Sequence, residues 1–112
     1  MNLAKIKPAV KKTFQVSPFE TKVEEADHMA IAANRYVIGG KEGRFEIRFG
    51  NYDPKAVNAV DKFKVLLRHE VVLSKEELAD WGTDDSILFE KIAKKLGTSV
   101  VNIVEDDIHQ TN

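Results

Sequence analysis

The clearest structural signal in the sequence is the stretch Arg44-Phe45-Glu46-Ile47-Arg48-Phe49, in which charged and apolar residues alternate without exception. Successive side chains of a β-strand point to opposite faces, so this stretch predicts a strand with one apolar face and one charged face. The apolar segment 29–38 and the glycines Gly39, Gly40 and Gly43 precede it. Because glycine permits the positive φ angles of tight reversals, the sequence predicts an antiparallel hairpin here.

A second long strand is predicted over residues 62–73, where apolar and charged residues alternate again. One face is apolar and carries Phe63, Val65, Leu67, Val71 and Leu73. The other face is mainly basic and carries Lys62, Lys64, Arg68 and Glu70. Leu66 and Val72 interrupt the charged face, which indicates that part of it is also covered.

Two helices and a last strand are predicted after residue 73. Ser74 and Glu77 have the spacing of a capping box, in which each side chain accepts a hydrogen bond from the other residue's backbone N–H, and Gly82 ends this short helix. A second helix is predicted from near Thr83 to Gly97, with one apolar stripe at helical spacing. The stripe consists of Leu88, Phe89, Ile92, Ala93 and Leu96. The valine-rich segment 99–104 then predicts the last strand.

Together these elements predict an α+β domain, in which one or two helices from the C-terminal half pack on one face of an antiparallel sheet of three to five strands. Residues 1–25 lack clear periodicity and contain Pro8 and Pro18, so we expect an extended N-terminal arm with one short strand at 13–16. Residues 26–105 would form the single domain, and residues 106–112 a polar C-terminal tail.

Composition limits the classes of function. The 112-residue chain has no cysteine, which excludes disulfides, zinc–thiolate sites, iron–sulfur clusters and thiol nucleophiles. No apolar run approaches the roughly 20 residues that span a bilayer, so no membrane partner is predicted. The N-terminal residues lack the pattern of a signal peptide, and we therefore expect an intracellular location, in the cytoplasm or in a particle assembled there.

Signatures of catalysis are absent from the sequence. No serine lies in a G-x-S-x-G elbow or in a motif with a histidine. The Gly39–Gly43 loop precedes a strand, whereas phosphate-binding loops precede a helix. We predict no enzyme activity, no cofactor and no metal site. A small ligand-binding protein or enzyme, with a site assembled entirely by the fold, is kept as the third hypothesis.

The leading hypothesis is a non-enzymatic interaction or assembly protein. Residues 1–12 carry four lysines and no acid, whereas segment 13–30 has one lysine and four acids, a net charge of −3. Such an uneven distribution is typical of contact surfaces. The N-terminal arm would dock on a protein partner or an identical subunit, and its lysines would supply electrostatic complementarity. The candidate contacts are the apolar Leu3, Ile6 and Val10 and the basic Lys5, Lys7, Lys11 and Lys12.

An alternative hypothesis is a regulatory or nucleic-acid-binding module that uses a basic strand face. The candidate residues are Arg44, Arg48, Lys62, Lys64 and Arg68. Tyr36 or Tyr52 would stack on bases. Glu46 and Glu70 interrupt this face and the net charge of the chain is −1, so nucleic acid is not the favoured partner.

No motif in the chain identifies a family. Its compact size, its lysine-rich N-terminal segment and its lack of catalytic signatures resemble small accessory or virion proteins of bacteriophages. This resemblance implies a structural component of a multisubunit particle.

Overall fold

The computed structural model describes residues 2–36, 42–79 and 85–105. These residues form one antiparallel sheet in the order β4-β3-β2-β1-β5 and three short helices. The elements are β1 (Asn2–Ser17), β2 (Glu20–Tyr36), β3 (Glu42–Tyr52), α1 (Ala59–Lys62), β4 (Phe63–Ser74), α2 (Lys75–Leu78), α3 (Asp85–Leu96) and β5 (Ser99–Glu105). The predicted α+β class is confirmed in its broad form, although the helices are short and the sheet dominates.

The alternating stretch at residues 44–49 lies in β3, and its apolar residues point into the core. Phe45, Ile47 and Phe49 are buried, as the pattern predicts. β3 pairs with β2 from His28 opposite Gly50 to Tyr36 opposite Gly43, which confirms an antiparallel hairpin. The turn itself, residues 37–41, lies outside the described residues.

The main core lies on one face of the sheet, where α2 and α3 pack. It unites Phe45, Ile47 and Leu73 of the sheet with Leu78 of α2 and Phe89 of α3. Burying each such side chain contributes roughly 1.5–3 kcal/mol, so this cluster is the main source of stability. The opposite face holds a smaller cluster of Leu3, Ala30 and Phe63, with Tyr52, Val65 and Val104 packed against it.

The predicted start of α2 and the predicted end of α3 are confirmed, whereas α2 ends at Leu78, before the predicted end at Gly82. Ser74 Oγ accepts from the Glu77 N–H at 3.2 Å, and Glu77 Oε1 accepts from the Ser74 N–H at 2.9 Å, which completes the capping box. Gly97 follows α3 with φ of 83°, a left-handed conformation that glycine adopts without strain. The predicted helix end at Gly82 and start near Thr83 lie outside the described residues.

A β-bulge in β4 corrects the prediction that one face carries all its alternating apolar residues. Phe49 pairs with Leu67, but the next residue, Gly50, pairs with Val65, so Leu66 is an extra residue. One extra residue moves every preceding side chain to the other face. Phe63 and Val65 therefore lie in the smaller cluster, whereas Leu67 packs against the main core.

The predicted N-terminal arm, residues 1–25, is also corrected. Residues 2–7 lie inside the sheet between β2 and β5, and Leu3 and Ile6 are buried. The pairing of this strand is interrupted by a wide irregularity, in which residues 6–9 of β1 lie opposite the single residue Asp27. The sequence therefore shows no regular alternation here. Pro8 lies within this irregularity and has no N–H to donate to a ladder. The predicted tail, residues 106–112, lies outside the described residues.

Candidate interaction surfaces

The two longest strands continue beyond the rest of the sheet as a two-stranded ribbon. β1 and β2 have 16 and 17 residues, but β5 flanks β1 only at residues 2–7 and β3 flanks β2 only at residues 28–36. Val10–Ser17 of β1 pairs with Glu20–Ala26 of β2, and no third strand joins them in the described part of the chain. We call residues 10–26 the hairpin arm. It agrees with the elongated shape of the molecule, 49 × 33 × 26 Å.

The base of the hairpin arm is held against the body. Ala26 is buried in the main core, and Val10 packs against it. Asn51 Nδ2 donates to the Glu25 carbonyl at 3.0 Å, and Lys12 Nζ donates to the Leu66 carbonyl at 3.5 Å. These contacts fix the direction in which the hairpin arm leaves the sheet.

The tip of the hairpin arm is apolar and exposed. Phe19, in the turn after Pro18, is 97% exposed, and Val16 and Val23 are 62% and 54% exposed. Phe14 is half-buried, and the Lys12 ammonium lies 4.9 Å from the centre of its ring, a cation–π contact. A folded domain does not gain stability from side chains left this far in water, so the tip is a candidate contact for another molecule.

The charges of the hairpin arm are largely matched within it. Lys11 lies opposite Glu25 and pairs with it at 3.6 Å, and Lys22 pairs with Glu24 at 3.2 Å. Exposed pairs of this kind contribute 0–1 kcal/mol. The tip is therefore more distinctive for its apolar side chains than for its charge.

The structure places several of the predicted contact residues in the core or inside the sheet. Leu3 and Ile6 belong to the core and cannot anchor a partner in this fold, and Val10 is partly buried at the base of the hairpin arm. Lys5 and Lys7 are exposed on the part of β1 that lies inside the sheet. The missed residues are Phe14, Val16, Phe19 and Val23. Their signal was the pair Ser17-Pro18, because serine and proline favour a turn and apolar residues flank them.

The predicted basic strand face is only partly assembled. Arg44 and Arg48 lie on the same face of β3, and Arg68 of β4 is directly opposite Arg48. Lys64 pairs with Asn51, before the bulge at Leu66, so it lies on the other face of the sheet. Lys62 ends α1 and is not part of a strand.

Acidic side chains neutralise what remains of that face. Arg44 pairs with Glu42 at 3.4 Å and with Glu70 at 3.8 Å. Arg48 is buried and pairs with Glu46 at 3.6 Å. A nucleic-acid surface needs cations that are free to neutralise phosphates, and this face offers few.

The two open edges of the sheet differ in their chemistry. On the β4 edge, Lys95 Nζ donates to the Val72 carbonyl at 2.6 Å and contacts Glu77 Oε1 at 3.1 Å. Val72, Glu77, Lys95 and Leu96 line part of an open groove of about 450 Å³ beside this edge. The backbone N–H of Ser74 and the Lys95 ammonium lower the pKa of Glu77 by hydrogen bonding to its carboxylate. The groove is also lined by Glu42, His69 and Glu70.

A metal centre is not evident in the part of the chain that the structure describes, where no three histidine or acidic side chains converge. His28 is buried, its Nδ1 lies 2.8 Å from Asp27 Oδ1, and its ring lies 5.5 Å from that of Tyr52. These contacts hold the His28 side chain in place. Among the described helices, none is long and apolar enough to cross a membrane.

Comparisons with protein-family models, curated proteins and solved structures gave no match to this chain.

Proposed function

We propose that this protein is a non-enzymatic assembly protein that docks on another protein through the tip of its hairpin arm. The docking partner is an identical subunit or another component of a multisubunit particle, such as a phage virion. The observation that carries the proposal is the almost complete exposure of Phe19 at the end of a ribbon that projects from the body.

The geometry of the hairpin arm suits docking. Its base is fixed by the Asn51 and Lys12 contacts, so the tip is presented in a defined direction. Aromatic side chains that enter a pocket of a partner are typical anchors of protein interfaces. Val16 lies close to Phe19 along the chain and would enlarge the apolar contact, whereas Val23, opposite Thr13, lies on the other face of the ribbon from Phe14.

Substitution of the tip tests this proposal. The double variant Val16→Asp with Phe19→Asp places charge at the tip, where exposure keeps the change in folding stability within about 0.5 kcal/mol. The matched control is Val57→Asp with Val60→Asp, at positions that are 99% and 73% exposed near α1. Native mass spectrometry would measure the complexes that each protein forms in the organism that makes it.

The expected result is that the wild type and the control occur in the same complexes, whereas the tip variant lacks them. Burying a phenylalanine and a valine contributes roughly 1.5–3 kcal/mol each, enough to weaken docking more than a hundredfold. A monomeric wild type, or a tip variant that keeps its complexes, would contradict the proposal.

A further inference from the structure

The bulge of β4 places a backbone carbonyl beside the base of the hairpin arm. Leu66 is the extra residue of this bulge. The extra residue of a bulge is left out of the ladder of hydrogen bonds between the two strands. The Leu66 carbonyl instead accepts from the Lys12 ammonium of β1 at 3.5 Å, across 54 positions of the chain. The irregularity of β4 is therefore in direct contact with the hairpin arm.

The Lys12 side chain turns to the body although an acid lies opposite it in the hairpin arm. Lys12 pairs with Glu24 in the register of β1 and β2, but the Glu24 carboxylate contacts Lys22 at 3.2 Å. Lys12 is half-buried, whereas its neighbour Lys11 is exposed. The Lys12 ammonium also lies 4.9 Å from the centre of the Phe14 ring, on the same face of the ribbon. Lys12 thus connects the body with the first aromatic side chain of the hairpin arm.

Asn51 holds the other strand of the hairpin arm at nearly the same level. Its Nδ2 donates to the Glu25 carbonyl of β2 at 3.0 Å, one residue beyond the buried Ala26. Asn51 pairs with Lys64 of β4, close to the bulge. A cleft of about 390 Å³ lies here between the hairpin arm and β4, and its lining includes Glu24, Glu25, Asn51 and Leu66. Hydrogen bonds from the body therefore reach both strands of the hairpin arm.

We propose that Asn51, Lys12 and the Leu66 bulge form a clamp that aims the hairpin arm, in which Lys12 is a positioning residue and does not contact the docking partner. This inference rests on the proposed function and explains how the tip is presented. A two-stranded ribbon alone is at best marginally stable in water, so bonds to the body are needed to hold its direction. An interface element that is already held loses less conformational freedom on binding, which favours docking.

Distances between two spin labels test the clamp in the purified full-length chain. The chain has no cysteine, so Thr21→Cys near the tip and Lys94→Cys on α3, both at exposed positions, are the two labelling sites. Lys12→Met removes the ammonium, and pulsed electron double resonance should then give a distribution of distances at least about twice as broad. Lys12→Arg keeps the charge and should restore the narrow distribution. Lys11→Met is the matched control, because Lys11 lies on the opposite face of the ribbon and should not affect the distances.

Asn51→Asp is a second, independent variant. It keeps the size of the side chain but replaces the donor with an acceptor, which repels the Glu25 carbonyl. The distribution of distances should therefore broaden as it does in Lys12→Met. Urea denaturation of the same proteins separates the clamp from a general structural role, which would lower the free energy of unfolding without broadening the distances.

Docking is measured as the yield of complexes in native mass spectrometry, as for the tip variant. Lys12→Met and Asn51→Asp should reduce this yield about tenfold, because an arm that is not held must be ordered on binding, and Lys11→Met should not. Unchanged distances in Lys12→Met overturn the inference, as does a broad distribution with a full yield of complexes. Loss of complexes with unchanged distances also overturns it and assigns Lys12 to the contact with the partner. The proposed function fails separately, if Val16→Asp with Phe19→Asp keeps its complexes, because the distances are measured without a partner.

Discussion

Gly50 shows how one residue determines the course of two strands. A Cβ built at Gly50 would lie 2.1 Å from the carbonyl oxygen of Lys64, far inside van der Waals contact. The close approach of the β3 and β4 backbones at the Leu66 bulge therefore requires the absence of a side chain. The bulge in turn divides the apolar residues of β4 between the two faces of the sheet.

The substitution Gly50→Ala should therefore lower the free energy of unfolding by about 3 kcal/mol or more, because the backbones must separate. Gly97→Ala is the matched control, since no atom lies within 4 Å of its Cβ and only its φ of 83° opposes the change. That control should lose about 1 kcal/mol. Urea denaturation measures both values, and equal losses in the two variants would show that Gly50 is not sterically required.

Residue patterns in the sequence predicted many of the core residues but not their division between the two faces of the sheet. The alternation at 44–49 identified Phe45, Ile47 and Phe49 as buried, because β3 is regular over that stretch. The same alternation failed at Phe63 and Val65, because the bulge results from a long-range contact with Gly50. A periodic pattern gives the local face of a strand but does not show where an extra residue shifts it.

At the scale of elements, contacts of Glu77 with neighbouring residues hold α2 at the edge of the sheet. Glu77 closes the capping box with Ser74 and contacts Lys95 of α3 at 3.1 Å. Lys91 Nζ also donates to the Glu77 carbonyl, so two lysines of α3 meet the single turn of α2. The Ser74–Glu77 spacing made the cap predictable, whereas the lysine contacts depend on how α3 packs and left no sign in the sequence.

The contacts of the Glu77 carboxylate should make the free energy of unfolding depend on pH. Hydrogen bonds from the Ser74 N–H and Lys95 hold the pKa of Glu77 below its ordinary value of 4.5. A carboxylate with a lowered pKa in the folded state adds stability above the unfolded pKa, and the gain is lost as pH falls through the folded pKa. Wild type should therefore be more stable than Glu77→Gln at neutral pH, and the difference should vanish at pH values well below 4.5.

Urea denaturation of both proteins across this pH range measures the difference. Glutamine keeps the acceptor of the capping box, so the comparison isolates the charge. The control is Glu76→Gln, an exposed neighbour in the same helix. A gap between wild type and Glu77→Gln that stays constant with pH would show that the carboxylate charge is not involved.

At the scale of the whole molecule, unequal strand lengths create the projecting element. β5 has seven residues, but β1 has 16, so half of β1 extends beyond β5. This half remains paired with β2. The lysine-rich N-terminal segment led to the prediction of an arm in this region. The hairpin arm projects from the same part of the chain. The predicted boundaries were wrong, because residues 2–7 pair with β5 from the far end of the chain and no local pattern shows such a contact.

Photo-crosslinking would show whether the tip of the hairpin arm touches another protein. Phe19 is replaced by p-benzoylphenylalanine, a larger photoreactive derivative of phenylalanine, in the full-length chain, and Val57 is replaced in a matched control at similar exposure. Both proteins are irradiated in the cells that normally make them. We predict a covalent protein adduct from position 19, in the same band in every preparation, and none from position 57. Absence of an adduct at position 19, or equal adducts at both positions, would contradict the account.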